Sequence, residues 1–447
     1  MNRGLVFASP SSGSGKTIIM LGILRALRDR GIEVRSAKSG PDYIDPGFHR
    51  AASGSPCPNL DAWAMPPGRL RQLAAGDGLL LIEGAMGLFD GAPPDGEGST
   101  ASLAVALGLP VVLIADVSGQ SQSIAALYRG FSEHRAGIRI AGVILNRVAG
   151  ERHERVTRSA LKAVGAKVLG AVRRDPALRV ESRHLGLNPA AEVAALEDRI
   201  GAAAAAAEVG IDLDALVDAA ESPVADADNT KTPEIIAPPA QRMAIADDVA
   251  FSFSYPHILA DWHAAGAEIR TFSPLADEVP GTDADLVILP GGYPELHAGV
   301  LASADRFCRG MREARAVYGE CGGFMVMGDG MVDAQGQRHA MLGLLRLETS
   351  FADRRLHLGY RRLTALAGPF TGEFSGHEFH YSTTVRAEGR PMFAVRDAEG
   401  AELAPAGLVS GQASGSFIHL IDPAPRAPAR LRSGPVAPER HDAGCRP

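Results

Sequence analysis

The sequence feature that most constrains the fold is a glycine-rich segment near the N-terminus. Residues 5–17 read Leu-Val-Phe-Ala-Ser-Pro-Ser-Ser-Gly-Ser-Gly-Lys-Thr, and a helical pattern of apolar residues follows in residues 18–27. A strand, a turn ending in Gly-Lys-Thr and a helix form a phosphate-binding loop, because backbone N–H groups at the helix N-terminus face the anion. Pro10 replaces the first glycine of the usual pattern, but the context still predicts nucleotide binding. The residues predicted to hold the nucleotide are Ser12, Gly13, Gly15, Lys16 and Thr17.

Apolar runs that alternate with stretches of helical length predict an α/β fold. The run Val-Val-Leu-Ile-Ala at residues 111–115 is hydrophobic at every position, which is typical of a strand buried on both faces of a parallel sheet. Functional side chains are then expected at the carboxyl ends of the strands. The predicted strands are residues 4–8, 33–38, 79–83, 111–116, 140–145 and 167–172, followed by a second series at 243–246, 268–272, 286–289 and 316–318.

Composition predicts two domains and argues against several classes of partner. Residues 221–241 hold three separate proline sites, and we interpret them as a linker between a domain of residues 1–220 and one of residues 242–422. Residues 423–447 lack apolar periodicity and are expected to be disordered. The net charge of −7 offers no basic surface for nucleic acid, and no apolar run is long enough to span a membrane. Four scattered cysteines indicate a reducing, cytoplasmic setting, and the sequence leaves open whether the chain forms a homo-oligomer.

Two carboxylates lie three residues apart in the loop after the second predicted strand. Residues 40–45 read Gly-Pro-Asp-Tyr-Ile-Asp and contain Asp42 and Asp45. Carboxylates at the phosphate end of the sheet suit Mg²⁺ binding, for which Asp42 is a candidate, or the alignment of a substrate group with the phosphates, for which Asp45 is a candidate catalytic residue. A solvated loop rich in turn-forming residues is the alternative.

Further polar residues follow other predicted strands of the first half. Glu83 ends an apolar strand, and together with the Thr17 hydroxyl it is expected to hold Mg²⁺ beside the phosphates. Asp90 lies in the glycine-rich loop beyond and is a candidate substrate contact. Asn146 is a candidate for a hydrogen bond with an adenine edge. Several acids and a lysine around a triphosphate suit phosphoryl transfer.

A cysteine at a sharp turn marks the second half. Cys321 lies between a short apolar run and two glycines that lead into a helix-compatible run, and this profile predicts an exposed thiol whose thiolate the helix N-terminus favours. A buried core cysteine is the alternative. His419 follows small residues near the end of the chain, where the fold can bring it to the cysteine as a base for acyl transfer. The backbone N–H groups predicted to face a developing oxyanion are those of Gly291, Gly292 and Gly322.

Taken in order, these segments resemble the cobyrinic acid and hydrogenobyrinic acid a,c-diamide synthase family of corrinoid biosynthesis. The resemblance runs from Arg3 to about Asp422. The segments that carry it are residues 12–17, 40–49 (Gly-Pro-Asp-Tyr-Ile-Asp-Pro-Gly-Phe-His), 86–91 (Met-Gly-Leu-Phe-Asp-Gly), 144–147, 183–187, 291–297 (Gly-Gly-Tyr-Pro-Glu-Leu-His), 320–323 (Glu-Cys-Gly-Gly) and 376–382 (Gly-His-Glu-Phe-His-Tyr-Ser).

The resemblance implies an ATP-dependent synthetase domain similar in fold to dethiobiotin synthetase, fused to a class I glutamine amidotransferase domain. It implies that Cys321 is the glutaminase nucleophile and His419 its base. Ring acetates of a corrinoid-type macrocycle would be phosphorylated by ATP with Mg²⁺ and then amidated with ammonia from L-glutamine, without a tightly bound prosthetic group. Most class I amidotransferases carry a glutamate two residues after the histidine, where this chain has Ile421, so the third member of the catalytic triad is left open.

Three alternatives remain at the level of sequence. A P-loop partitioning or scaffold ATPase would explain the first half but would leave Cys321 and His419 without a task. A diamide synthase acting on a sirohydrochlorin-type macrocycle, or a cobyric acid synthase, would keep the chemistry and change the acceptor. Metal-free and cobalt-containing macrocycles differ far from the acetates, and only the Ala- and Arg-rich composition favours hydrogenobyrinate.

Overall fold

Parallel strands form the centre of the first half, as the continuous apolar runs predict. The computed structural model describes residues 3–178, 182–183, 186–187, 196–223 and 233–425. Its first sheet has seven parallel strands in the order β3-β2-β4-β1-β5-β6-β7, and the central strands are buried on both faces. These strands are β1 (Arg3–Ala8), β2 (Val34–Ser39), β3 (Asn59–Leu60), β4 (Leu79–Glu83), β5 (Val111–Asp116), β6 (Ile140–Val148) and β7 (Val168–Arg173).

Helices on both faces cover this sheet. The first of them, α1, packs against α7 so closely that a Cβ at Gly22 would lie 2.4 Å from the carbonyl oxygen of Ala203. The helices are α1 (Lys16–Asp29), α2 (Asp45–Ser53), α3 (Pro67–Ala74), α4 (Thr100–Leu107), α5 (Ile124–Glu133), α6 (Glu151–Ala163), α7 (Leu196–Gly210) and α8 (Leu213–Asp218), and a short pair of strands, β8 (Ser182–Arg183) and β9 (Gly186–Leu187), precedes α7.

The second half begins with a six-stranded sheet in the order β11-β10-β12-β13-β23-β22, in which only β22 is antiparallel. The strands of this sheet are β10 (Arg242–Ala246), β11 (Glu268–Phe272), β12 (Leu286–Leu289), β13 (Val317–Glu320), β22 (Leu408–Ser410) and β23 (Ala413–Ser416). Its helices are α9 (Pro256–Ala264), α10 (Ala298–Ser303), α11 (Asp305–Glu313) and α12 (Gly322–Val326).

Two smaller sheets complete the second half. One runs β15-β14-β16-β19, and the other is antiparallel and runs β21-β20-β17-β18-β24. Their strands are β14 (Gly330–Val332), β15 (Arg338–Ala340), β16 (Arg346–Ser350), β17 (His357–Ala365), β18 (Glu373–His380), β19 (Thr383–Glu388), β20 (Phe393–Arg396), β21 (Glu402–Ala406) and β24 (Ile418–Pro423).

The two halves meet through a buried arginine. Arg69 on α3 is fully buried, and its guanidinium pairs with Asp261 on α9 and, at 3.3 Å, with Asp422 on β24. The Tyr360 hydroxyl donates to the carboxylate of Asp61 at 3.0 Å. Because a buried charge left without its partner is costly, these contacts fix how the sheets face each other.

The predicted α/β fold class is confirmed, and every predicted strand is present within three residues of its expected ends. Residues 224–232 of the predicted linker and 426–447 of the predicted tail lie outside the described residues. Among the residues that the structure describes, no helix combines the length and the apolar character needed to cross a bilayer.

Candidate active site

The glycine-rich loop after β1 places two polar side chains at the carboxyl end of the sheet. Gly15 precedes α1 with a φ of 84°, a left-handed conformation that favours glycine. Lys16 donates hydrogen bonds to the Ser9 hydroxyl at 2.8 Å and the Met86 carbonyl at 2.5 Å, and burial lowers its pKa to about 8. The Thr17 hydroxyl donates to Oε1 of Glu83 at 2.7 Å. The structure therefore joins two of the three residues that the sequence assigns to Mg²⁺.

A lysine that the sequence analysis did not single out lies at the centre of the acidic residues. The Lys38 ammonium contacts the Asp45 carboxylate, Oε1 of Glu83 at 3.1 Å and Oδ2 of Asp42 at 3.8 Å. Burial opposes its charge, but these carboxylates hold the pKa of Lys38 above its usual range. Burial and the charge of Asp42 raise the pKa of Asp45 to about 7, against the influence of Lys38. The three carboxylates therefore share one cation, the ammonium group of Lys38.

A buried histidine completes the surroundings of Glu83. Its carboxylate is 1% exposed, and its Oε2 lies 2.6 Å from Nε2 of His49 on α2. Burial would raise the pKa of Glu83, but Lys38 and His49 hold it well below its usual range. Against its own burial, the Cys57 thiol and Glu83 raise the pKa of His49 to about 10. Lys38 lies two residues before the segment 40–49, and His49 is its last residue. This polar segment was the feature of the sequence that could have pointed to both side chains.

Asn146 and Asp90 support loops around the nucleotide site. The Asn146 amide donates to the Ser14 carbonyl at 2.9 Å, and a Cβ at Gly15 would lie 2.3 Å from its nitrogen. The Asn146 amide therefore holds the phosphate loop. Its contact with an adenine stays a prediction. Asp90 accepts a hydrogen bond from the Gly87 N–H at 2.8 Å and lines the large cavity described below, and its substrate contact also stays a prediction.

Cys321 occupies the predicted turn between a strand and a helix. It follows β13, precedes α12, and has a φ of 46° and a ψ of −107°, a rare conformation for a residue with a side chain. The turn packs tightly on β12, because a Cβ at Gly323 would lie 1.9 Å from the Leu289 carbonyl oxygen. Strained turns of this kind hold nucleophiles at the carboxyl end of a sheet.

The predicted exposure of the thiol is wrong. Cys321 is 3% exposed, and its Sγ lies 3.7 Å from the Phe379 carbonyl, which covers it from β18. Burial, with the charge of Glu295, raises the pKa of the Cys321 thiol well above its usual range, although the Gly322 N–H opposes this. The five-residue helix α12 does not offset the burial. A neutral thiol of this kind needs a base to become a nucleophile.

His419 lies beside Cys321, as the sequence analysis anticipated. It is fully buried on β24, and a Cβ built on Gly291 would lie 2.8 Å from its Nε2 and 3.3 Å from the Cβ of Cys321. The imidazole of His419 and the Cβ of Cys321 thus both lie next to Gly291. Gly292 and Gly322 lie side by side here, because a Cβ on Gly322 would lie 3.1 Å from the Gly292 nitrogen. Their contact with an oxyanion stays a prediction.

A cavity of about 740 Å³ lies between the two halves. Asp42 and Asp45 line it from the first half, and Tyr360, Arg361 and His377 line it from the second. A volume of this size accommodates a large organic ligand. The carboxylates around Lys38 therefore open into a space that both halves enclose.

An aromatic wall separates this cavity from the thiol. A second cavity of about 30 Å³ contains Cys321, and Phe253 and Phe379 line both cavities. Tyr43 lies in the same loop as Asp42 and Asp45, and its ring stacks on the imidazole of His419 with centroids 4.2 Å apart. The loop of the first half therefore touches His419 of the second half, a contact that the sequence analysis did not foresee.

Comparison with known proteins agrees with this division into two centres. Residues 5–187 match the CobQ/CobB/MinD/ParA nucleotide binding domain, and residues 242–425 match the CobB/CobQ-like glutamine amidotransferase domain. Hydrogenobyrinate a,c-diamide synthase of Sinorhizobium sp is 52% identical to this chain, and the match covers 94% of this chain and 98% of the relative. The chain belongs to the hydrogenobyrinate a,c-diamide synthase family.

Two further relatives of this family carry the same name. The synthase of Rhizobium meliloti is 51% identical over 94% of this chain and 99% of its own length, and that of Rhodobacter capsulatus is 50% identical over 94% and 98%. The resemblance found in the sequence is thereby confirmed, and the chain is a glutamine-hydrolysing ligase with a nucleotide-binding domain. A partitioning ATPase would not explain the second domain.

Proposed function

We propose that the protein uses ATP and L-glutamine to amidate the a- and c-acetate groups of hydrogenobyrinic acid in cytoplasmic cobalamin biosynthesis. The observation that carries the proposal is the cavity of about 740 Å³, which the acidic loop of the first half and the strands of the second half enclose together. The names of the relatives supply the macrocycle. The charged end of the sheet supplies a site where a carboxylate is activated.

The glutaminase reaction begins at the buried thiol. Nε2 of His419 takes the proton of Cys321, and the thiolate attacks the side-chain carbonyl of glutamine. The N–H groups of Gly292 and Gly322 stabilise the oxyanion. The imidazolium then gives its proton to the leaving amine, so that ammonia departs and a glutamyl thioester remains. Water hydrolyses this thioester to glutamate and restores the thiol.

The synthetase reaction uses the charges at the carboxyl end of the first sheet. An acetate oxygen attacks the γ-phosphorus of ATP, so that ADP leaves and an acyl phosphate forms; ammonia then attacks the carbonyl carbon and phosphate leaves with the acetate oxygen. The oxygen atoms of Thr17, Asp42 and Glu83 fit Mg²⁺, which supplies charge neutralisation to the phosphates when it is bound. Lys16 and Lys38 place two ammonium groups at this end of the sheet.

One aromatic wall lies between the site where ammonia is released and the site where it is used. The cavity that contains Cys321 and the large cavity share Phe253 and Phe379 as walls. A small neutral molecule released at the thiol needs to pass this aromatic wall to reach the acyl phosphate near Asp45. The contact of Tyr43 with His419 supports a direct link between the two reactions.

The choice of macrocycle is tested by mass spectrometry. The protein is incubated with ATP, Mg²⁺, glutamine and either hydrogenobyrinate or cobyrinate, and the products are analysed. We expect the a,c-diamide of hydrogenobyrinate. A diamide formed only from cobyrinate, or only from a sirohydrochlorin-type macrocycle, would contradict the proposed substrate.

A further inference from the structure

A carboxylate lies beside the imidazole of His419. Glu320 ends β13 directly before Cys321, and its Oε2 lies 3.5 Å from Nδ1 of His419. The other ring nitrogen, Nε2, lies next to Gly291, as does the Cβ of Cys321. Glu320 and Cys321, neighbours in sequence, therefore both lie next to the imidazole.

Two hydrogen bonds fix the direction of this carboxylate. Oε1 of Glu320 accepts from the Tyr318 hydroxyl at 2.9 Å and from the Leu420 N–H at 3.3 Å. Tyr318 is 1% exposed, and Leu420 follows His419 on β24. The strand that carries the imidazole therefore also anchors the carboxylate, and Oε2 is left directed at the ring.

The position two residues after the histidine offers no such group. Ile421 is fully buried in an apolar cluster, and its carbonyl accepts a hydrogen bond from Nε2 of His257 at 2.8 Å. The other rings around His419 are those of Tyr43, Tyr255 and His377. Burial, with the charge of His419, lowers the pKa of His377 to about 3, so this neighbour is neutral and does not compensate an imidazolium.

We propose that Glu320 is the positioning residue of the glutaminase and orients His419 through its Nδ1–H. This inference rests on the proposed glutaminase reaction. A carboxylate at Nδ1 selects the tautomer whose Nε2 lone pair faces the thiol, and it stabilises the imidazolium that forms when the thiol loses its proton. In this chain the carboxylate belongs to the residue directly before the nucleophile, whereas most class I amidotransferases carry it two residues after the histidine.

Glu320→Gln tests the inference, because the amide keeps the shape of the side chain and removes its charge. We expect glutaminase kcat to fall by about ten-thousandfold, as found when the carboxylate of a catalytic triad is neutralised, with the KM for glutamine changed less than about threefold. Amidation with high ammonium should remain, because the nucleotide half is untouched. Glu320→Asp should recover part of the lost kcat, and Glu373→Gln, at an exposed carboxylate of β18, should behave as the unaltered protein.

The outcomes separate this inference from the proposed function. If Glu320→Gln keeps glutaminase kcat within about threefold while Cys321→Ala abolishes it, a Cys–His pair suffices and the inference is overturned. If Glu320→Gln also loses ammonium-dependent amidation, or if its KM rises as much as its kcat falls, the carboxylate has a structural role and the inference is again overturned. An active Cys321→Ala protein would instead contradict the proposed glutaminase.

Discussion

Gly291→Ala should disable the glutaminase by a steric effect alone. The new Cβ would lie 2.3 Å from Cε1 and 2.8 Å from Nε2 of His419. Non-bonded carbon atoms need about 3.5 Å, so the imidazole has to move by about 1 Å. A displacement of this size at a reacting group costs about a hundredfold in rate. We therefore expect glutaminase kcat/KM to fall about a hundredfold, while amidation with high ammonium stays within about twofold.

Glutamate release and macrocycle amidation are measured side by side for this variant. Gly299→Ala is the matched control, because a Cβ at this α10 position meets no atom closer than 3.8 Å. The control should keep both activities. If Gly291→Ala released glutamate at the unaltered rate, the imidazole would not occupy the space beside Gly291 during catalysis, and the geometry proposed for the Cys321–His419 pair would be refuted.

Four further predictions concern the thiol, the phosphate loop, the acidic loop and a buried histidine. Cys321→Ala should abolish glutamine-dependent amidation and leave ammonium-dependent amidation, and failure of ammonium to restore activity in the folded variant would assign the thiol another role. Lys16→Ala should remove amidation with either nitrogen source, because the terminal phosphates lose a charge partner, and full activity would remove this loop from the mechanism. Asp45→Asn should lower turnover about a hundredfold with little change in KM for ATP, and near-normal turnover would make the carboxylate structural. His377→Gln should lose less stability than the unaltered protein as the pH drops from about 6.5 to about 4, because burial lowers the pKa of His377 to about 3 and the unfolded chain therefore binds a proton there first, whereas carboxyls with a raised pKa such as Asp45 act in the opposite direction in both proteins; free energies of unfolding from denaturant titrations that fall equally in both proteins would contradict this assignment.

The parallel sheets were predictable because their signal is local. A strand such as β5 is apolar at every position, and a phosphate loop is written in a continuous segment, so periodicity and motif suffice. None of the strands between Gly330 and Pro423 was predicted individually from the sequence. Their short alternating runs pair across long separations, and the register depends on tertiary packing rather than on neighbours in sequence.

Side chains that act through distant partners were the hardest to predict. The approach of His419 to Cys321 was anticipated from the sequence, but the contact of Tyr43 with His419 joins a loop and a strand that only the assembled fold brings together. Lys38 and Glu320 lie beside predicted site residues, yet their partners are fixed by burial and by neighbouring strands. Tertiary packing also buries the thiol of Cys321, because the Phe379 carbonyl covers a side chain that the turn alone would expose.

We propose that one chain releases ammonia at Cys321 and uses it in the cavity between its halves. The most direct test supplies glutamine labelled with ¹⁵N in its amide, together with ATP, Mg²⁺ and hydrogenobyrinate, and locates the label in the product by NMR. We expect ¹⁵N in the a- and c-acetamide groups, and no label in the product of Cys321→Ala. Label at other side chains, or an unlabelled diamide from the unaltered protein, would contradict it.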